Sequence, residues 1–303
     1  MYDTANLVIQ RPSKWVMPST VKSVKEYIDK ETGLVSIGGR FNSMFVKESA
    51  SEILISGSLP CYYHGSNAIM MTRSDTEQSI LKLSDALSLP LEDSRVYRLD
   101  IAANLMLNNP VGEYLATLGP WRQSNRMEFK KNGNLSYQGG RNTLTFYDKV
   151  LELNQKKHST IPDHWINKNV LRIEFQMKKA VKEQLEKAVY GKDLWDEATY
   201  MKAIQKWKNA YLTVEKLKLM EDMPMGGVKE LRAFIEYQGL QTVGYENILQ
   251  RNRMARILGQ ITKSQAKENQ RALKKMATYP KGEAKGLIEE LDRKVETVVA
   301  CYR

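Results

Sequence analysis

The sequence predicts an α+β protein: an antiparallel-rich central sheet with flanking helices, followed by an α-helical C-terminal region. Three observations carry this expectation. Runs of alternating apolar and polar residues recur as far as the stretch VLRIEFQMKK at residues 170–179, the period of strands with one covered face. Two such runs flank Gly139-Gly140 in NLSYQGGRNTLTFYD, the pattern of a hairpin, so at least these neighbours run antiparallel. Beyond about residue 180 the alternation stops, and Lys, Glu, Ala, Leu and Met dominate.

Taken in order, NLVIQ near the start reads as a strand, and TVKSVKEYIDKETG (20–33) as a helix ended by Gly33. LVSIGGRFNSMFV, SEILISGSL and NAIMMT read as strands. SDTEQSILKLSDALSL then supplies a helix: Ser74 and Glu77 have capping-box spacing, and Ile80, Leu81, Leu83 and Leu87 make its apolar face. In SRVYRLDIAANL, Tyr97, Leu99 and Ile101 share one face, and Arg98 and Asp100 the other. PVGEYLATLG is a short helix between Pro110 and Gly119. In VLRIEFQMKK, Leu171, Ile173 and Phe175 oppose Arg172, Glu174 and Gln176. Helices are expected around 180–189, 193–219, 227–238, 244–258, 263–277 and 283–299, with breaks at Gly191, 223–227, Gly239 and 279–282. The expected domains are 1–185, α+β, and 186–303, helical and basic.

Composition narrows the function classes. No apolar run approaches the ~18 residues of a membrane span, and no signal peptide is expected at the start. Cys61 and Cys301 are far apart and form no CxxC, which suits a reducing cytoplasm. There is no GxxxxGK[ST] loop, so no P-loop ATPase is expected here. No Ser-His-Asp or Cys-His arrangement stands out. The net charge of +11 favours a polyanionic partner. Residues 251–275 concentrate it: Arg251, Arg253, Arg256, Lys263, Lys267, Arg271, Lys274 and Lys275 stand against one acid, Glu268. This stretch reads as two helices suited to gripping duplex DNA through its phosphates, or as a solvated basic face. Arg122, Arg126, Lys130 and Lys131 form a second basic edge, where Trp121 and Tyr137 offer stacking surfaces for single-stranded DNA.

The densest chemistry lies in TLTFYDKVLEL (143–153), which begins like a strand and ends like a helix with Tyr147 at the changeover. With Leu144 and Phe146 facing the core, Tyr147 faces the other side. Three strands thus share one design, with polar faces carrying Arg98 and Asp100, then Tyr147, then Arg172 and Glu174. Glu152 follows the tyrosine by just over a helical turn. Asp100, Glu152 and Glu174 would make a hard, oxygen-only site for Mg²⁺ or Mn²⁺. Arg98, Lys149 and Arg172 could hold phosphate oxygens while the phenol attacks phosphorus. The plainer reading is a solvated sheet face with cross-strand ion pairs.

VYRLDIAANL, TLTFYDKVLEL and VLRIEFQMKK, in this order and at roughly these separations, resemble the gene II/X family of phage and plasmid replication initiators. GSLPCYYHGSN (57–67) is similar to a stretch upstream in such proteins. The resemblance covers about residues 50–180 well and the C-terminal region only loosely. It implies an HUH/RRM-like nicking domain that cuts one strand of a double-stranded origin and stays joined to the 5′ phosphate through tyrosine. A 3′ hydroxyl is left for a host polymerase, and the displaced single strand is later rejoined. Tyr147 matches the nucleophile, and Asp100, Glu152 and Glu174 match the acids. The resemblance also implies a bacterial cytoplasmic setting. The His-hydrophobic-His pair of the wider HUH class is missing: the histidines are His64, His158 and His164. A mobilisation relaxase and a non-catalytic origin-binding protein are the alternatives.

Overall fold

The structure is a computed structural model and describes residues 1–29, 31, 33–122, 124–129, 134–155, 160–178, 181–217, 227–277 and 286–302. It divides into two compact units, residues 1–217 with 287–303, and residues 218–286.

The first unit is built on a ten-stranded sheet. Its strands are β1 (Tyr2–Gln10), β2 (Lys22–Ile28), β3 (Val35–Phe41), β4 (Met44–Glu48) and β5 (Glu52–Ser58), then β6 (Arg95–Leu107). After the short pair partner β7 (Leu118–Trp121) come β8 (Asn125–Phe129), β9 (Asn134–Gln138), β10 (Asn142–Asp148) and β11 (Asn169–Met177). The spatial order is β2-β3-β4-β5-β1-β6-β11-β10-β9-β8, and every pairing is antiparallel. The helices are α1 (Leu59–His64), α2 (Arg73–Leu87), α3 (Val111–Ala116), α4 (Lys149–Gln155), α5 (Val181–Leu185), α6 (Glu197–Leu212) and, after the second unit, α10 (Leu287–Ala300). A strand β12 (Val214–Lys216) pairs with β7 in a separate two-stranded sheet. The α+β expectation therefore describes the fold.

Alternation in the long central strands decides which side is core. Leu99, Ile101 and Ala103 of β6, Ile173 and Phe175 of β11 and Leu144 and Phe146 of β10 are buried on one face. Helices α5, α6 and α10 pack on this part of the sheet. Trp207 of α6 is fully buried, and its indole Nε1 donates to the Ile173 carbonyl at 3.1 Å. Each such apolar side chain removed from water contributes about 1.5–3 kcal/mol. The compact unit consequently extends past residue 185. α6 buries Tyr200, Ala203, Ile204, Trp207 and Tyr211 along one stripe, and α10 returns to seat Glu290 against the Asn108 amide (3.0 Å) and the Tyr114 hydroxyl (2.5 Å). A boundary drawn at 185 would cut through this core.

Other local expectations change. The helix read at 20–33 is strand β2 over its described core. Its Val21, Val24, Tyr27 and Ile28 spacing mimics a helical stripe, but every β2 side chain is exposed, so no core face enforces a period. Pairing with β3 decides the conformation. NAIMMT is no strand. It leads into α2, whose capping box is Thr72 with Asp75 rather than Ser74 with Glu77. Tyr97 is exposed, with the Arg95 guanidinium over its ring, although Leu99 and Ile101 on its face are buried.

The second unit contains α7 (Val228–Val243), α8 (Tyr245–Ile257) and α9 (Lys263–Ala277), which pack on one another. Tyr237, Leu240, Leu249, Ala266 and Leu273 are buried among its described residues. α7 runs through the expected break at Gly239 and ends at Gly244, whose φ of +86° a side chain would strain. Among the described residues no helix is long and apolar enough to cross a membrane.

Candidate active site

The strand order makes β6, β11 and β10 neighbours, so the three polar faces read from the sequence lie side by side. Register aligns Tyr147 with Arg172, Thr145 with Glu174, Arg172 with Asn104 and Gln176 with Asp100. Directly paired residues point to the same side of a sheet. Asp100, Asn104, Arg172, Glu174, Gln176 and Tyr147 therefore form one polar field on the face away from α6.

Tyr147 is the penultimate residue of β10. The strand gives way to α4 because the Asp148 carboxylate accepts the Leu151 amide at 2.9 Å and caps the new helix. This turn places Lys149 and Glu152 beside the tyrosine. Lys149 is fully buried; its ammonium donates to Glu152 Oε2 at 2.7 Å and Asn67 Oδ1 at 2.8 Å, and lies 5.9 Å from the Tyr147 ring centroid. The Tyr147 hydroxyl donates to Glu174 Oε2 at 3.4 Å. Glu174 Oε1 accepts from the Gln176 amide at 2.8 Å, which fixes the carboxylate.

Arg172 is the hub beneath. It is buried, pairs with Asp3 Oδ2 at 2.9 Å, and donates to the Asn67 carbonyl and to Asn104 Oδ1, each at 3.1 Å. Its Nε faces Glu174 Oε2 at 3.8 Å. Burial alone would weaken its charge, but Asp3, the Tyr147 side chain and Glu174 hold it firmly protonated. Asp3 Oδ1 in turn accepts from the Ser58 hydroxyl at 2.9 Å. Ser58 caps α1, which ends in Gly65 at φ +77° and delivers Asn67 to the site. The 57–67 motif thus forms a strand-helix-loop element whose last residue grips Arg172 and Lys149. Arg98 forks onto Asp100 with bonds of 2.9 and 2.6 Å.

Burial raises the Tyr147 phenol well above its ordinary pKa; Arg172 opposes this, while Glu174, Glu152 and Asp3 add to it. A hydroxyl so placed does not ionise on its own near neutrality and needs an adjacent acceptor for its proton. Burial also pushes Asp100 up to about 7, against the pull of Arg98.

The carboxylates expected to hold Mg²⁺ or Mn²⁺ do not, as arranged, form a cage for an ion. Asp100 faces the Arg98 fork, Glu152 faces Lys149, and Glu174 is held by Gln176 and Tyr147. Among the described residues no group of three His, Cys, Asp or Glu side chains converges as a metal site. His64 lies at the end of α1, 3.6 Å from Asp75, and His164 is exposed in a short 3₁₀ turn; His158 is outside the described residues.

Of the second basic edge, Arg122 is exposed with its guanidinium over the Trp121 ring, and Arg126 pairs with Glu128 and donates to the Leu118 carbonyl. Lys130 and Lys131 lie outside the described residues. Trp121 and Tyr137 do not offer stacking surfaces: both are buried, bonded to Thr213 Oγ1 at 3.0 Å and the Gly119 carbonyl at 2.6 Å.

Sequence reasoning missed Asp3, Asn67, Asn104 and Gln176. Asn104 was legible, standing on the Asp100 face of an alternating strand, as was Gln176 beside Glu174. Asp3 and Asn67 were not, because their roles arise only when β1 and the α1 loop meet β11.

The family model for the N-terminal region of the gene II replication-associated protein matches residues 1–209. The chain belongs to this family of replication-associated proteins. The match covers β1 through most of α6 and hence every member of the Tyr147 cluster. It agrees with the gene II resemblance drawn from the three strand motifs, and a replication protein of this family acts on DNA. A search of curated proteins found no match to the chain.

Proposed function

We propose that this gene II-family protein opens one strand of a replication origin by attack of Tyr147 on a backbone phosphate. The supporting observation is the hydrogen bond from the Tyr147 hydroxyl to Glu174 Oε2 on a polar sheet face whose cations are already paired. The phenolic oxygen forms a bond to phosphorus as the bond from phosphorus to the 3′ oxygen breaks. The phenolic proton passes to Glu174, and the departing 3′ oxygen takes a proton from water. The product is a phosphotyrosine joined to the 5′ end and a free 3′ hydroxyl, which a host polymerase extends behind a host helicase. Attack by a 3′ hydroxyl on the same linkage, with Glu174 returning the proton, rejoins the strand.

In this reading Arg172 is a positioning residue. It is 2% exposed and engaged by Asp3, Asn67, Asn104 and Glu174, so it sets the base rather than touching DNA. Lys149 likewise fixes Glu152 and the Asn67 loop. Arg98, about one-third exposed, is the cation best able to meet a phosphate.

The test is incubation with supercoiled DNA of the replicon that carries the gene. The reading expects an open-circular product with protein attached, lost in Tyr147→Phe while duplex binding persists. A covalent adduct formed by the Phe variant would refute it. A requirement for Mg²⁺ or Mn²⁺ is a separate proposal: nicking unchanged by EDTA would remove the ion from the account.

A further inference from the structure

The basic helices of the second unit are not part of the Tyr147 cluster, and their geometry has its own content. α8 and α9 are joined by residues 258–262. Gly259 takes φ +69° there, and Thr262 caps α9. Thr262 Oγ1 accepts the Gln265 amide at 3.2 Å, and Gln265 Oε1 accepts the Thr262 amide at 2.9 Å. Two asparagines then lock the pair. Asn252 Nδ2 donates to the Ala266 carbonyl at 2.9 Å, and Asn269 Nδ2 donates to Asn252 Oδ1 at 3.0 Å. Ala266 and Leu273 are the buried residues of α9, and Asn269 and Met276 line the groove against α8.

With 3.6 residues per turn, that inner stripe leaves Ser264, Lys267, Glu268, Arg271, Lys274 and Lys275 on the outer face. All six are exposed. Lys267, Arg271 and Lys274 make no ion pair among the described residues. α8 adds exposed Arg251, Arg253 and Arg256. Helices that use charge only for solubility commonly interleave acids at i+3 or i+4; here the outer face of α9 carries one, Glu268.

We propose that the outer face of α9 is a surface for double-stranded DNA, with the helix lying in the major groove and Lys267, Arg271 and Lys274 on backbone phosphates. A major groove roughly 12 Å wide admits one α-helix, and the cations recur about once per ~5.4 Å turn. Single-stranded DNA is the less suitable partner. Its binding sites rely on aromatic platforms, and the sequence of α9, KSQAKENQRALKKMA, contains no aromatic residue. The proposal rests on the chain acting on DNA, as its family implies, and not on the chemistry of Tyr147.

The full chain carrying Tyr147→Phe, which has no nucleophile, is titrated by fluorescence anisotropy against a random-sequence 30-base-pair duplex and a 30-nucleotide oligo(dT), between about 50 and 200 mM NaCl. The variant Lys267→Ala/Arg271→Ala/Lys274→Ala should flatten the log affinity against log salt slope for duplex by about 2.7, or ~0.9 per phosphate contact. It should bind duplex at least tenfold more weakly at the upper salt limit and change oligo(dT) binding less than twofold. Lys229→Ala/Arg232→Ala, which removes exposed cations from α7, should leave the slope within about one unit. Arg271→Ala alone should give about a third of the triple effect. An unchanged slope, an equal loss on oligo(dT), or an equal effect of the α7 variant would overturn the assignment. Because the nucleophile is absent from every protein used, failure here is separate from failure of the nicking reading.

Discussion

Around Tyr147, each cation is buried or half-buried and faces a carboxylate: Arg172 with Asp3, Lys149 with Glu152, Arg98 with Asp100. On α9, Lys267, Arg271 and Lys274 stand exposed without partners among the described residues. The same residue types therefore serve different ends. Buried charges are tolerated only when paired, and the pairing fixes geometry to within a hydrogen bond. Exposed, unpaired cations fix nothing in the protein and are free to replace counterions on a polyanion. The first arrangement suits chemistry at one atom; the second suits a partner that is long, regular and negative.

The contrast is sharpest where a single atom is changed. Glu174→Gln keeps the shape of the side chain but removes the acceptor for the Tyr147 proton. Strand cleavage should fall by about 10²–10⁴-fold, the usual contribution of a positioned base, with the midpoint of thermal unfolding nearly unchanged. Single-turnover cleavage beside a melting curve reads both. Cleavage within tenfold of the parent would remove Glu174 as base.

Arg172→Met strands Asp3 in the interior and should destabilise the first unit by about 3–5 kcal/mol, measured by chemical denaturation. Adding Asp3→Asn should recover part of that loss, since the two residues share one interaction. Equal and additive losses would mean that the pair does not hold the site.

Asp100 adds a pH dependence to the Tyr147 region. Its carboxyl lies near 7 in the folded chain against an ordinary value of 3.8. Between those values the folded state holds a proton that the unfolded state has released, so stability from this group is fully present below about 4 and is lost as pH rises through about 7. If the ionised Asp100–Arg98 pair orients the phosphate, cleavage should rise with pH to a plateau above 7. Asp100→Asn should flatten both the rate profile and the stability difference between pH 5 and pH 8.

The smallest effect is expected on α9. Lys274→Ala should change stability by no more than about 0.5 kcal/mol, as for most exposed positions. Removal of a cation would thus cost several kcal/mol in one region and almost nothing in the other.

Much of the site was legible because strand alternation is simple. Leu144 and Phe146 had to face a core, so Tyr147 had to face away, and the same logic placed Arg98 with Asp100 and Arg172 with Glu174. What alternation could not supply was the order β6-β11-β10, which turns three similar faces into one field. Nor could it show that Asn67, which reads as part of a strand, sits in a loop that bonds Lys149 and Arg172. The mistaken helix at 20–33 shows the opposite failure: β2 buries no side chain, so its spacing carries no information about its partner. The end of the first unit was obscured because α6 and α10 share the Lys- and Glu-rich composition of the second unit while burying one stripe in the core of the first.

The most direct test of the central claim is peptide mapping by mass spectrometry of the covalent protein–DNA adduct formed on supercoiled DNA. The account predicts a nucleotide-modified peptide spanning β10 and α4, with the phosphate on Tyr147. A modification on another tyrosine, or a cut strand with no protein attached, would contradict it.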